Sequence, residues 1–202
     1  VQGYGMTEMS PISHMTIGGN VRHGSSGQAV PSTECRIVNP ETLEDMPPGE
    51  EGELWVRGPQ VMKGYLNNPE ATAETLTPDG WLRTGDLAII DEDGFMFIRD
   101  RLKELIKFKG FQVAPAEVEA ALIAHSGVVD AAVIGRPDEE AGEAPIAFVV
   151  RAPGSEVGEA ELKAHCEGCL AHYKHPVAYH FVEAVPKSAS GKILRRELRA
   201  AL

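Results

Sequence analysis

With 202 residues, 43% of them hydrophobic, the chain is long enough for one large domain or two small ones around a real core. A formal charge of -11 works against nucleic acid or an anionic membrane as the main partner, because both require a broad basic face. No apolar run approaches a bilayer span, and no secretory signal opens the chain.

The first motif, Gly3-Tyr4-Gly5-Met6-Thr7-Glu8, begins almost at residue 1 and without an initiating Met, which reads as a fragment of a longer protein. It sets an aromatic ring between glycines, then a hydroxyl and a carboxylate. Gly3 and Gly5 let backbone approach a ligand closely, Thr7 can donate to a phosphate oxygen, and Glu8 can hold Mg²⁺, which takes oxygen ligands and keeps several waters. A glycine-flanked loop with a capping Thr-Glu pair has the same sequence.

Residues 26 to about 98 carry turn chemistry and short alternating segments. Strands are predicted at Thr33 to Val38, Gly52 to Arg57, Asp86 to Ile90 and Phe95 to Arg99, with a short helix from Pro69 to Thr75. This predicts a small distorted β-barrel or a twisted antiparallel sheet. From about residue 104 helices and strands mix: a helix from Pro115 to His125, strands at Val128 to Gly135 and Pro145 to Arg151 around an acidic loop, Asp138 to Glu143. A helix from Glu159 to Tyr173, a strand from Val177 to Val182 and a closing helix from Ile193 to Leu202 follow. The fold class is therefore α+β, with a division near residues 99 to 103.

Cys35, Cys166 and Cys169 are too few and too clustered for a disulfide framework, which fits a reducing cytoplasm. His165-Cys166-x-x-Cys169-x-x-His172 carries zinc-ligand residue types. On a helix, however, Leu162, Cys166, Cys169, Leu170 and Tyr173 fall at core-facing spacing, and a free thiol behaves as a small hydrophobe. Ten of the 19 basic residues occupy two short segments, Arg99 to Lys109 and Lys187 to Arg199. They are either solvated faces paired with Asp100, Glu104 and Glu197, or loops that contact a polyanion.

Four signals occur in order: Tyr4 to Glu8; Gly80-Trp81-Leu82-Arg83-Thr84-Gly85-Asp86; Asp100-Arg101-Leu102-Lys103-Glu104-Leu105-Ile106-Lys107-Phe108-Lys109-Gly110; and Pro186-Lys187-Ser188-Ala189-Ser190-Gly191-Lys192-Ile193. In this combination the whole chain resembles the acyl-adenylate-forming superfamily, and within it the 4-coumarate-CoA-ligase-like acyl-CoA synthetases.

The resemblance implies a ligase that uses ATP to convert a carboxylic acid to an acyl-adenylate, releasing pyrophosphate, and then passes the acyl group to the thiol of coenzyme A. It assigns Gly3, Tyr4, Gly5, Thr7, Asp86 and Arg101 to the nucleotide, with Asp86 accepting from the ribose hydroxyls, and Glu8 to Mg²⁺. Lys192 matches the catalytic lysine of adenylation, whose ammonium stabilises charge building at the α-phosphate. Lys103 matches a hinge about which a small lid domain turns between half-reactions. Lys107, Lys109 and Gly110 match the thioester step and the approach of coenzyme A. Pro11, Ile12 and Ser13 match the acyl pocket, and Gln112 is a candidate substrate contact. The implied domains are 1–98, the end of the large adenylating domain with the barrel subdomain; 99–103, the hinge; and 104–202, the C-terminal lid.

Each residue also has a plain alternative: a turn-capping Asp86, an exposed Arg101–Asp100 ion pair, an ordinary surface Lys192, and Lys107 and Lys109 alternating with Ile106 and Phe108 in a half-exposed strand. The Ser/Thr/Gly-rich phosphate loop and most of the acyl pocket of the family would precede residue 1, so this chain alone is expected not to catalyse the reaction. The end, Ala200-Ala201-Leu202, differs from the Ser-Lys-Leu peroxisomal address, which leaves a cytoplasmic setting. Two other functions fit the same motifs: an adenylation domain that loads a carrier protein, and a non-catalytic interaction module built on the same scaffold. Phe108-Lys109-Gly110-Phe111-Gln112-Val113-Ala114-Pro115 favours free coenzyme A.

Overall fold

The computed structural model describes residues 2–189 and 191–202; Val1 and Ser190, the latter within the fourth motif, lie outside the described residues. The chain forms two compact units, Val1–Leu102 and Lys103–Leu202. No helix among the described residues is long and apolar enough to cross a membrane.

The first unit opens with a three-stranded antiparallel sheet, β1 (Gly3–Gly5), β2 (Ile12–Met15) and β3 (Gln28–Ala29), in that order. A four-stranded antiparallel sheet follows, in which β4 (Glu34–Val38), β5 (Gly52–Arg57), β6 (Leu82–Ile90) and β7 (Met96–Arg101) lie in chain order. Between β5 and β6 runs α1 (Pro69–Thr75), where Pro69 occupies the first turn and the Asn68 side chain accepts from the Ala71 N–H.

The strand period of two sorts the buried side chains of β5 to opposite faces. Leu54 and Val56 join Met9, Leu82, Ala88 and Met96 in one core. Trp55 packs with Val38 and Trp81 on the other face. There the Arg36 guanidinium lies 4.8 Å from the Trp55 ring and 4.5 Å from Trp81, and Arg83 lies 4.9 Å from Trp55. Arginine stems and aromatic rings cover this face, which gains cation–π attraction as well as burial.

Of the two expectations for this region, the small distorted β-barrel is not formed as a closed barrel, and an antiparallel sheet is found. Among the described strands β4 and β7 are the two ends of an open sheet. Alternation in sequence specifies which side chains share a face; it says nothing about whether the edge strands meet. Here the second face is sealed by the arginine–tryptophan layer.

In the second unit β8 (Ile106–Phe108) and β9 (Phe111–Val113) form a hairpin across Lys109 and Gly110, both at positive φ (50° and 82°), the backbone a two-residue hairpin turn requires. After α2 (Pro115–Ile123) come the long antiparallel strands β10 (Val128–Asp138) and β11 (Gly142–Arg151), then α3 (Glu159–Cys169), β12 (Ala178–Phe181) parallel to β11, and α4 (Arg195–Ala200). Alternate residues of β10 and β11 serve two cores. Val133, Ala147 and Val149 pack with Val118, Leu122, Leu162 and Cys166 of α2 and α3. Ala132, Ile134, Ile146 and Phe148 pack with Val185 and Leu198.

Three expectations are corrected here. The helix from Glu159 stops at Cys169, because Leu170 is extended (φ -121°, ψ 153°), and a 3-10 turn at His172–Lys174 brings Tyr173 back to the core. Cys166 is buried as expected, but Cys169 is exposed and its thiol donates to the His165 carbonyl. The closing helix begins only at Arg195, because Ile193 pairs with Lys187 in a bridge.

Candidate functional site

The centre of the candidate site is an irregularity between β5 and β6. Glu53 pairs with Leu87 and Trp55 with Arg83, so Thr84, Gly85 and Asp86 stand opposite Leu54 alone. Gly85 takes φ 71°, which suits a residue without Cβ. Thr84 Oγ1 donates to the Leu54 carbonyl (2.7 Å) and accepts from the Asp86 N–H (3.1 Å), which stabilises the bulge.

Asp86 is only 5% exposed, and two side chains satisfy its carboxylate. Tyr4, from β1, donates its hydroxyl to Oδ2 at 2.6 Å, and Arg101, paired across β6 and β7, approaches Oδ1 at 3.0 Å. Burial, followed by the neighbouring Asp86 charge, pushes the Tyr4 phenol well above its ordinary value, so it remains a donor. The Arg101 guanidinium therefore pairs with Asp86, while Asp100 accepts from the Arg101 backbone N–H (2.7 Å). Three residues expected on sequence grounds at one ligand thus form one hydrogen-bonded set.

Gly3, Tyr4, Gly5, Thr7, Pro11 and Ile12 line an open groove of about 410 Å³. Gly5 has a strict steric reason: a Cβ there would lie 1.8 Å from the Pro11 carbonyl oxygen. Ser13 and His14 are fully buried beneath this sheet, so Ser13 lies in the core and does not line the groove. Burial lowers the His14 imidazole from 6.5 to about 4, and its ring stands edge-on to Tyr4 at 6.3 Å. Glu8 sits on a 3-10 turn (Thr7–Met9), where its Oε1 accepts from the Tyr65 hydroxyl at 2.8 Å. No cluster of three or more His, Cys, Asp or Glu that could cage a metal occurs among the described residues. A single tethered carboxylate suits Mg²⁺, which binds through one or two carboxylates plus water and substrate phosphate.

The remaining expected residues belong to the second unit. Lys103 is exposed in the 3-10 turn Leu102–Glu104. Exposed Lys107 and Gln112 pair across the β8–β9 hairpin, and Lys109 and Gly110 form its tip. The Lys107 N–H donates to Glu143 (2.9 Å), and Phe111 stacks on Tyr173 at 4.5 Å.

Lys192 is exposed on a separate hairpin. Its N–H donates to Ser188 Oγ (3.2 Å), its carbonyl accepts from the Ser188 N–H (2.8 Å), and Gly191 has φ 82°. Lys187 anchors one side of this hairpin to Asp130 (2.6 Å). On the other, Arg195 pairs with buried Glu119 (2.7 Å).

Sequence reasoning missed Glu53, Thr84, Tyr65 and Glu119 as partners of the candidate residues. The available signal was a glutamate inside an otherwise apolar strand, Gly52-Glu53-Leu54-Trp55-Val56, since buried charge requires partners.

Residues 1–66 match the AMP-binding enzyme family, and residues 117–192 match the AMP-binding enzyme C-terminal domain. Over its whole length the chain is 50% identical to 4-coumarate-CoA ligase 1 of Narcissus pseudonarcissus, of which it covers 38%. It is 52% identical to 4-coumarate--CoA ligase-like 4 of Oryza sativa subsp. japonica, with 98% of the chain and 36% of the relative aligned. Among solved structures, ATP-bound MatB from Rhodopseudomonas palustris superposes with a TM-score of 0.92 at 38% identity, over 98% of this chain and 40% of that one. The o-succinylbenzoate CoA synthetase MenE from Bacillus subtilis, in complex with the acyl-adenylate OSB-AMP, gives 0.88 at 36% identity, over 98% and 40%. The chain spans somewhat over a third of the length of these relatives, and it belongs to the acyl-adenylate-forming AMP-binding enzymes.

Proposed function

We propose that the intact protein is an AMP-forming acid–thiol ligase that joins an aryl or fatty carboxylic acid to coenzyme A. The observation that carries this reading is the buried Asp86 carboxylate, held by Tyr4 and Arg101 beside the groove of Gly5 and Pro11. In the first half-reaction a substrate carboxylate oxygen attacks the α-phosphorus of ATP and the bond to pyrophosphate breaks. Asp86 accepts from the ribose hydroxyls, Arg101 supports the same sugar or a phosphate, and the Tyr4 ring faces the base. Gly3, Gly5 and Thr7 line the phosphates, while Pro11, Ile12 and Gln112 belong to the acid's side. Lys192 supplies positive charge where the attacking carboxylate and the phosphate meet. Mg²⁺, held at Glu8, would offset phosphate charge.

In the second half-reaction the coenzyme A sulfur attacks the acyl carbon and AMP leaves. Lys103 serves as the hinge within 99–103, so that the lid of 104–202 presents Lys107, Lys109 and Gly110 in place of Lys192 to the adenylating part that ends with 1–98. The chain on its own, at 38% of the length of such relatives, is inactive in this reading. The test uses the intact protein. Lys192→Ala should remove most acid-dependent ATP–pyrophosphate exchange, by at least about a hundredfold, while sparing thioester formation from presynthesised acyl-adenylate. Equal loss of both would refute the assignment.

A further inference from the structure

We propose that Glu53 is a positioning residue for the nucleotide carboxylate, holding Asp86 through the Thr84–Gly85 peptide of the bulge that carries it; this rests on the reading of Asp86 as the ribose ligand. Glu53, the second residue of β5, is 7% exposed, a costly place for a carboxylate unless donors satisfy it. Its two oxygens are divided between two N–H groups. Oε1 accepts from the Gly85 backbone at 2.9 Å, and Oε2 from the Trp55 indole at 2.7 Å.

The Gly85 N–H belongs to the bulge, where three residues of β6 face one of β5 and the ladder provides no carbonyl for it. Glu53 replaces that missing acceptor with a charged one, and a charge-assisted bond is the stronger kind. Trp55 is itself fixed, with Arg36 and Arg83 stacked on its ring. The orientation of the Thr84–Gly85 peptide, one peptide before Asp86, and with it the course of the bulge that aims the Asp86 side chain, is thus tied to the arginine–tryptophan face of the sheet. Tyr4 and Arg101 hold the carboxylate itself; Glu53 holds the bulge that leads into it.

The experiment compares ATP with 2′,3′-dideoxy-ATP in acid-dependent pyrophosphate exchange by the intact protein, because a correctly aimed Asp86 accepts from the ribose hydroxyls that the dideoxy analogue lacks. Wild type should prefer ATP in kcat/KM by at least about thirtyfold, the scale of hydrogen bonds to a charged group. Asp86→Asn should lose most of that preference. Glu53→Ala should bring it to within about threefold of unity, chiefly through KM for ATP. Glu53→Gln, which retains an acceptor for Gly85, should restore most of it. If Glu53→Ala does not fold, Glu53→Asp, one methylene shorter, takes its place with at least a fivefold loss expected. Wild-type preference in a folded Glu53→Ala or Glu53→Asp variant overturns the positioning role. Unchanged preference in Asp86→Asn, or none in wild type, overturns the reading of Asp86 on which it rests.

Discussion

Glu119 is the strongest lever on the second unit. It sits on α2 with its side chain 11% exposed, and one oxygen, Oε1, accepts from both the Val133 N–H of β10 (2.8 Å) and the Arg195 guanidinium at the start of α4 (2.7 Å). Three elements therefore meet at one atom, and one of its donors, Arg195, follows Lys192 by three residues. Removing one partner of a buried ion pair costs about 3–5 kcal/mol, because the other is left buried with an unbalanced charge. Arg195, itself 14% exposed, retains Glu104 at 3.9 Å, which places Glu119→Ala near the lower end, about 3 kcal/mol. Glu119→Gln keeps an oxygen for both donors and loses only the charge, about 1 kcal/mol. Backbone hydrogen exchange read on peptides from β10 reports this unit locally. The expected acceleration is about 150-fold for the alanine variant and about fivefold for the glutamine variant. Less than fivefold acceleration in Glu119→Ala, or equal effects of the two variants, would refute the reasoning.

Two further outcomes follow from the first unit. The folded His14 is held at about 4 against 6.5 unfolded, so the unfolded chain binds the extra proton; the contribution is intact above pH 6.5 and is lost as pH falls toward 4, by about 2 kcal/mol at pH 5. Urea unfolding followed by tryptophan fluorescence, with Trp55 and Trp81 both in this unit, should show the loss in wild type and less of it in His14→Gln; identical pH slopes would exclude His14 as the cause. Gly5→Ala sets a Cβ against the Pro11 carbonyl and must displace β1 from β2. It should weaken AMP binding by the intact protein at least tenfold by calorimetry, at a stability cost of about 1–3 kcal/mol, and wild-type binding would contradict the close approach.

Local order was read well where one residue type has one strong structural use. Pro69 and Pro115 mark the first turns of α1 and α2, and the buried pattern of Gly52 to Arg57 coincides with β5. Boundaries went astray where tertiary pairing extended or cut an element. Across β7 and β5 the bulge extended β6 back to Leu82, the bridge from Lys187 to Ile193 delayed α4, and packing of Tyr173 replaced the end of a helix with a 3-10 turn. Ser13, next to Ile12 in sequence, is fully buried together with His14, because packing covers both faces of β2 at these two positions.

The four ordered motifs identify the family and single out candidate residues for its chemistry, since such types as Tyr4, Asp86, Arg101 and Lys192 are local properties of the chain. The α+β class follows similarly from periodicity. Only the tertiary structure joins Tyr4 to a carboxylate 82 residues away, leaves the first unit's sheet open, and bonds Glu53 to the Gly85 N–H and Glu119 to the Val133 N–H. The reason is physical: a buried carboxylate is specified by its donors, and those donors come from strands and helices whose pairing no local pattern encodes.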